Sequence, residues 1–151
     1  MNQNRNEMNL SRKAEDYLEA ILNVSLEKGY ARTKDVAEEL DLSPSSVVEM
    51  FRKLHKMGLV EYRPYEGVTL KSRGRERAEV IKFRHDTLKQ FLMLIQVPEP
   101  IADSDACYME HELHPETIRQ IHALVGIFSS DSNITSDIQR MLETKTETDI
   151  R

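Results

Sequence analysis

Between residues 11 and 27 the apolar positions Ala14, Tyr17, Leu18, Ile21 and Leu22 fall one, three or four apart. That spacing puts them on one face of an α-helix, with Ser11 as N-cap and Gly29 as the stop. A shorter helix follows, capped by Thr33 and ending at Leu40, with Val36, Ala37 and Leu40 facing inward. Ser43-Pro44 predicts the start of a third: a hydroxyl cap, then a proline at the first helical position, where its missing N–H costs nothing. Val47, Val48, Phe51, Leu54 and Met57 make its apolar side, and Gly58 closes it. The pattern then changes. LVEYR (59–63) and VTLK (68–71) predict two strands, and PYEG (64–67) a turn between them. Two helices joined by a tight turn, then a hairpin, make a winged helix-turn-helix.

From Ser72 the helical period returns. Ser72 caps a long helix carrying Ala78, Ile81, Leu88, Phe91, Leu92 and Ile95, which Pro98 and Pro100 interrupt. Ile101 to Leu113 forms another helix, and Pro115 disfavours helical backbone at His114, so that helix ends there. Pro115 opens the next, with Ile118, Ile121, His122 and Val125 at helical spacing. SSDSN (129–133) reads as a loop. Ile134, Ile138, Met141 and Leu142 mark a last amphipathic helix, and TKTETDIR is expected to fray. The fold class expected is therefore mainly α with a small β-hairpin wing. The expected domains are 1–71, the winged helix-turn-helix, and 72–151, a linker helix and helical domain.

Composition refines this picture. The 151 residues are 39% apolar, enough for one domain or two small ones. No apolar run approaches the roughly 18 residues of a membrane span. The polar start shows no export signal, and the single cysteine forms no internal disulfide, so a cytoplasmic setting is the simplest expectation. With no Trp and 6% aromatic residues, a stacking platform for single strands is disfavoured. Net charge is −5, yet its distribution is uneven: 28–84 carries 13 Lys/Arg against 9 Asp/Glu, and 99–151 carries 4 against 11. A basic middle suits a nucleic-acid reader and an acidic end a part that handles cations. The same asymmetry also fits an uneven solvated surface.

In a helix-turn-helix the N-terminal part of the second helix enters the major groove. Here that part is Ser43, Pro44, Ser45, Ser46 and Glu49. The small hydroxyls allow close approach, and Glu49 has the chemistry to accept from a cytosine amino group. Lys53 and Lys56 are placed for phosphates, and Arg63 and Tyr65 at the hairpin tip for backbone or minor groove. Alone, SPSS is as well read as a cap and turn; the Gly-ended helix and hairpin after it favour the reader.

CYMEHELH (107–114) holds the other candidate chemistry. Cys107, Glu110 and His111 share one helical face, with Ala102, Ala106, Met109 and Leu113 roughly opposite. Thiolate, carboxylate and imidazole together suit a divalent transition metal. A solvated Glu and His beside a buried Cys is the plainer alternative. Asp16 and Glu19, three apart on the first helix, and His85, at the edge of the long helix's apolar stripe, are further candidates whose plain readings are solvation and a core-edge histidine. The HELH run is not the HExxH of zinc proteases, no CxxC exists for structural zinc, and no oxyanion loop accompanies the cysteine. An enzyme is not expected.

On AEDYLEAIL (14–22), GYARTKDVAEELDLSPSSVVEMFRKLHKMGLV (29–60), FRHDTLKQFL (83–92) and DACYMEHEL (105–113), the chain resembles the diphtheria toxin repressor and manganese transport regulator (DtxR/MntR) family, from about Ser11 to Phe128. The resemblance implies a metal-activated repressor that binds double-stranded operator DNA as a homodimer and controls metal-uptake genes. It implies one ligand set drawn from three helices: Asp16, Glu19, His85, Cys107, Glu110 and His111. It also implies DNA contacts from Thr33, Ser43, Pro44, Ser45, Ser46, Glu49, Lys53, Arg63 and Tyr65. Two departures stand out. Manganese-type members pair carboxylates at 16 and 107, iron-type members Met with Cys, whereas this chain has Asp16 with Cys107. Hard oxygen suits Mn²⁺, while thiolate favours Fe²⁺ and admits Co²⁺, Ni²⁺ or Zn²⁺. Lys89 stands where many members carry a glutamate for a second metal, and its charge opposes one. The expected cofactor is Mn²⁺ or Fe²⁺. The alternative is a winged-helix regulator sensing a thiol oxidant through Cys107.

Overall fold

A computed structural model describes residues 9–149. Its elements are α1 (Arg12–Lys28), α2 (Thr33–Leu40), α3 (Pro44–Lys56), β1 (Val60–Arg63), β2 (Gly67–Leu70), α4 (Ser72–Leu94), α5 (Glu99–Glu112), α6 (Pro115–Ser129) and α7 (Ser132–Asp149). The chain divides into two compact units between Val80 and Ile81.

In the first unit α1 starts where Ser11 Oγ accepts from Ala14 N–H at 3.1 Å, and stops at Gly29, which adopts a left-handed φ of 76° that L side chains resist. The apolar stripe read from the sequence is the buried face: Tyr17, Leu18 and Ile21 are at most 1% exposed. Glu15, beside that stripe, is also buried, and Arg77 on α4 holds its Oε2 through Nη2 at 2.6 Å and Nε at 2.9 Å. A buried carboxylate is tolerable because a guanidinium meets it.

The first turn of α2 differs from expectation. Thr33 is already helical, and Arg32 is the residue before the helix. Asp35 does the capping instead, accepting from the Arg32 N–H (3.4 Å) and from the Lys28 ammonium (2.9 Å). The hydrogen bond from Lys28 holds the Asp35 carboxyl below its ordinary range, against the upward push of burial. α3 begins as read, with Ser43 Oγ accepting from Ser46 N–H at 3.3 Å and Pro44 in the first turn. Phe51, fully buried, stands edge-on to Tyr17 and tilted against Tyr62.

The wing is an antiparallel pair in register Val60↔Leu70 to Arg63↔Gly67. Tyr62 N–H donates to His55 Nδ1 on α3 (3.2 Å), and Val68 N–H donates to the carbonyl of Ala31, between α1 and α2 (3.0 Å). Gly67 is required at that seam, because a Cβ would stand 2.5 Å from the same carbonyl oxygen and its φ is 131°.

In the second unit Leu88, Ala106 and Ile118 form a core, with Met109, Leu113 and Ile121 packed around it. His114 is extended (ψ 149°) ahead of Pro115, which ends α5 and opens α6. The connection after α6 is shorter than SSDSN suggests: only Ser130 and Asp131 lie outside helices, and Asp131 Oδ1 accepts from Asn133 N–H at 2.9 Å. Asp131 starts the last helix at once, and that helix continues through Asp149 rather than fraying at Thr144. Of TKTETDIR, Ile150 and Arg151 lie outside the described residues. Among the described residues no helix is long and apolar enough to cross a membrane.

Candidate metal centre

α4 and α5 bring His85, Cys107 and Glu110 together. One donor atom from each lies within 4.8 Å of the others. His85 Nδ1 is 2.7 Å from Glu110 Oε2 and 3.7 Å from Cys107 Sγ. Glu110 Oε1 is 3.2 Å from His111 Nε2. The helical spacing read from the sequence thus converges, but not toward solvent. Glu110 is 0% exposed and His111's side chain is 2% exposed, whereas Cys107 is half-buried. A carboxylate so enclosed needs positive charge beside it, and two imidazoles supply hydrogen-bonding partners.

The surroundings of His85 favour a cation. Its pKa is raised from 6.5 to about 11, first by the hydrogen bond with Cys107, then by that with Glu110, against the opposing effect of burial. The proton on Nδ1 therefore sits where thiol, carboxylate and imidazole converge, and a divalent ion carries the charge this cluster accommodates. The donor set fits a transition metal.

A pH effect follows. A nitrogen that ligates must first lose its proton. At pH 7 the metal-free imidazole is still protonated, because its pKa lies near 11. Divalent-metal uptake is expected to release protons and to weaken as pH falls. Calorimetric titrations in buffers of different ionisation enthalpy measure the number released, and a value of zero would contradict the assignment of His85. The same shift stabilises the metal-free fold fully below about 6.5 and less as pH rises toward 11.

Asp16 and Glu19 belong to the first unit, on α1, and both are half-buried. Two residues near the cluster escaped the sequence reading. Asp103 Oδ1 is 3.0 Å from His85 Nε2 and 3.1 Å from Lys89 Nζ. Glu99 Oε1 is 3.3 Å from the same ammonium. Their only signal was one-turn spacing, four residues apart on an acidic helix, which solvated helices also show.

On the reader, Ser43, Pro44, Ser45, Glu49, Lys53 and Arg63 are exposed, while Ser46 and Thr33 are half-buried. Tyr65 is fully exposed at the hairpin tip, with φ 68°. A groove of about 430 Å³ runs beside Thr33 and Tyr65. It is also lined by Arg32, Lys34 and Arg52, three cations that the helix-turn-helix pattern alone did not single out.

Residues 9–68 match the iron dependent repressor N-terminal DNA binding domain, and residues 71–138 the iron dependent repressor metal binding and dimerisation domain. The HTH-type transcriptional regulator MntR of Bacillus subtilis is 39% identical over 133 residues, covering 88% of this chain and 93% of that protein. The MntR of Oceanobacillus iheyensis is 38% identical over 129 residues, covering 85% and 88%. The chain belongs to the DtxR/MntR family.

Among solved structures, a manganese-dependent transcriptional repressor in complex with manganese superposes with a TM-score of 0.64 at 30% identity. That match covers 75% of this chain and 52% of the other, so the chain spans about half of that longer protein. As a DtxR/MntR member, this protein is a DNA-binding, metal-dependent transcriptional repressor and not an enzyme, and its metal is a divalent ion.

Proposed function

We propose that this protein is a homodimeric repressor of metal-uptake genes whose operator affinity is raised by Mn²⁺ or Fe²⁺. The observation that carries the reading is the convergence of His85, Cys107 and Glu110 within 4.8 Å, on a family match that extends over 9–138. His85, Cys107, Glu110 and His111 would hold the ion, with Asp16 and Glu19 of α1 as the remaining ligands. Bound there, a divalent cation would supply the positive charge that three carboxylates and a thiolate share. α1 also carries Tyr17, Leu18 and Ile21 of the reader's core, so fixing α1 fixes the helices that present Ser43, Ser45 and Glu49. Holding the reader in one arrangement lowers the entropy lost on an operator. The gain is limited to the difference in ion affinity between DNA-competent and free states.

Two further points support the reading. Two relatives are MntR regulators, and one structural neighbour is a manganese-dependent repressor in complex with manganese. Exposed apolar side chains on the last two helices, Leu124, Ile127, Ile134 and Met141, offer a second copy a face to cover. Ser43, Pro44, Ser45, Ser46 and Glu49 would face base edges, and Thr33, Lys53, Arg63 and Tyr65 the backbone.

Anaerobic titration of the metal-free protein with Mn²⁺ and with Fe²⁺, followed by fluorescence anisotropy on its own upstream DNA at fixed salt, tests this. A tightening of about tenfold or more, roughly 1.4 kcal/mol of coupling, is expected with one of the two ions. Unchanged affinity with both ions bound would make the metal structural. Release of DNA by an oxidant, with no metal effect, would instead favour sensing through Cys107.

A further inference from the structure

His85 has two nitrogens and two different neighbourhoods. Nδ1 faces Glu110 Oε2 at 2.7 Å and Cys107 Sγ at 3.7 Å, while Nε2 faces Asp103 Oδ1 at 3.0 Å. A neutral imidazole keeps its proton on one nitrogen and ligates only through the other. A carboxylate beside Nε2 accepts from Nε2–H, which leaves the Nδ1 lone pair aimed at Cys107 and Glu110. Asp103 is itself held, since the Lys89 ammonium donates to the same oxygen at 3.1 Å and also reaches Glu99 at 3.3 Å. That ammonium already satisfies the Asp103 charge and opposes a second cation on that oxygen.

We propose that Asp103 is the positioning residue of the metal centre: it locks His85 in the Nε2–H tautomer and ring orientation that let Nδ1, Cys107 and Glu110 hold one divalent cation, with Lys89 and Glu99 keeping Asp103 in place. This rests on the metal-centre reading above. Carboxylates that orient ligating histidines from behind raise metal affinity by roughly 10–100-fold. Asp103's side chain is 51% exposed, so its truncation leaves the core intact.

The experiment compares the full chain with Asp103→Ala, Asp103→Asn and a control two residues away, Asp105→Ala. Anaerobic Co²⁺ titrations follow the thiolate–metal absorption, and ¹⁵N spectra of the Zn²⁺-loaded proteins report which His85 nitrogen carries the proton. Asp103→Ala is expected to weaken Co²⁺ binding about 10–100-fold and to mix the His85 tautomers. Asp103→Asn, whose amide oxygen still accepts, is expected to lose less and keep the Nε2–H signature, and Asp105→Ala to behave as the unaltered chain. Wild-type affinity and an unmixed tautomer in Asp103→Ala overturn the proposal. So does an equal loss in Asp105→Ala, which would reduce the effect to helix charge. If the unaltered chain binds Co²⁺ without any thiolate absorption, the metal-centre reading itself fails, a result separable from the others because it precedes any substitution.

Discussion

The double variant Glu110→Ala with His111→Ala is expected to lose metal-stimulated operator binding altogether while keeping its helices. Glu110 is the fully buried member of the cluster, in reach of His85 on one oxygen and of His111 on the other. The double variant removes two of the six proposed ligands, among them the one carboxylate that meets both imidazoles. Changing Glu110 by itself would take a buried carboxylate from two imidazoles, and breaking such a pair costs about 3–5 kcal/mol. Changing His111 as well removes one of those imidazoles, and His85 keeps Asp103 at 3.0 Å, so the fold is expected to survive. Anisotropy with saturating Mn²⁺ or Fe²⁺ against chelator measures the effect, and circular dichroism checks the helices. Undiminished stimulation would take Glu110 and His111 out of the site.

The second large effect is on the reader. Phe51→Ala is expected to destabilise it by about 3–5 kcal/mol, the usual range for a buried phenylalanine. Phe51 is 0% exposed, with its ring 6.5 Å from Tyr17 and 5.4 Å from Tyr62. One side chain thus connects α1, α3 and the wing. Small domains hold only about 5–15 kcal/mol in total, so operator affinity should fall with or without metal. Urea denaturation of the variant measures it directly. A midpoint within error of the unaltered chain would mean that the ring is dispensable.

These predictions draw unequally on sequence and structure. Several helix ends were legible because their signals are local, although α5 begins at Glu99 and takes in Pro100 rather than starting at Ile101. Ser11, Gly29, Ser43-Pro44 and His114-Pro115 each act on the backbone within a turn of themselves, and each stands where its chemistry places it. The apolar stripe of α1 was legible for the same reason, whereas Ile134 and Met141 of the stripe read in the last helix stay exposed. Thr33 was misread as a cap because its hydroxyl matched the pattern, whereas the carboxylate of Asp35, fixed by Lys28, performs that role. For TKTETD, the described part of the tail, a terminal position suggested fraying, yet α7 runs on to Asp149.

By itself the sequence determined the mainly helical fold with its hairpin wing, the Ser43-Pro44 start of the reader's second helix, and the residue types available for a metal. Those follow from backbone preference and spacing, which act over a few residues. Only the tertiary structure decided which side chains meet. His85 lies 22 residues from Cys107 and 25 from Glu110, and no local rule relates them; their approach depends on how α4 packs against α5 around Leu88 and Ala106. It was also packing that buried Glu110, for which solvation was the plainer reading of the sequence, and that set Asp103 behind the imidazole. Distance along the chain hides such pairings, because the energy that selects them is the burial of a shared apolar core and not the preference of any one segment.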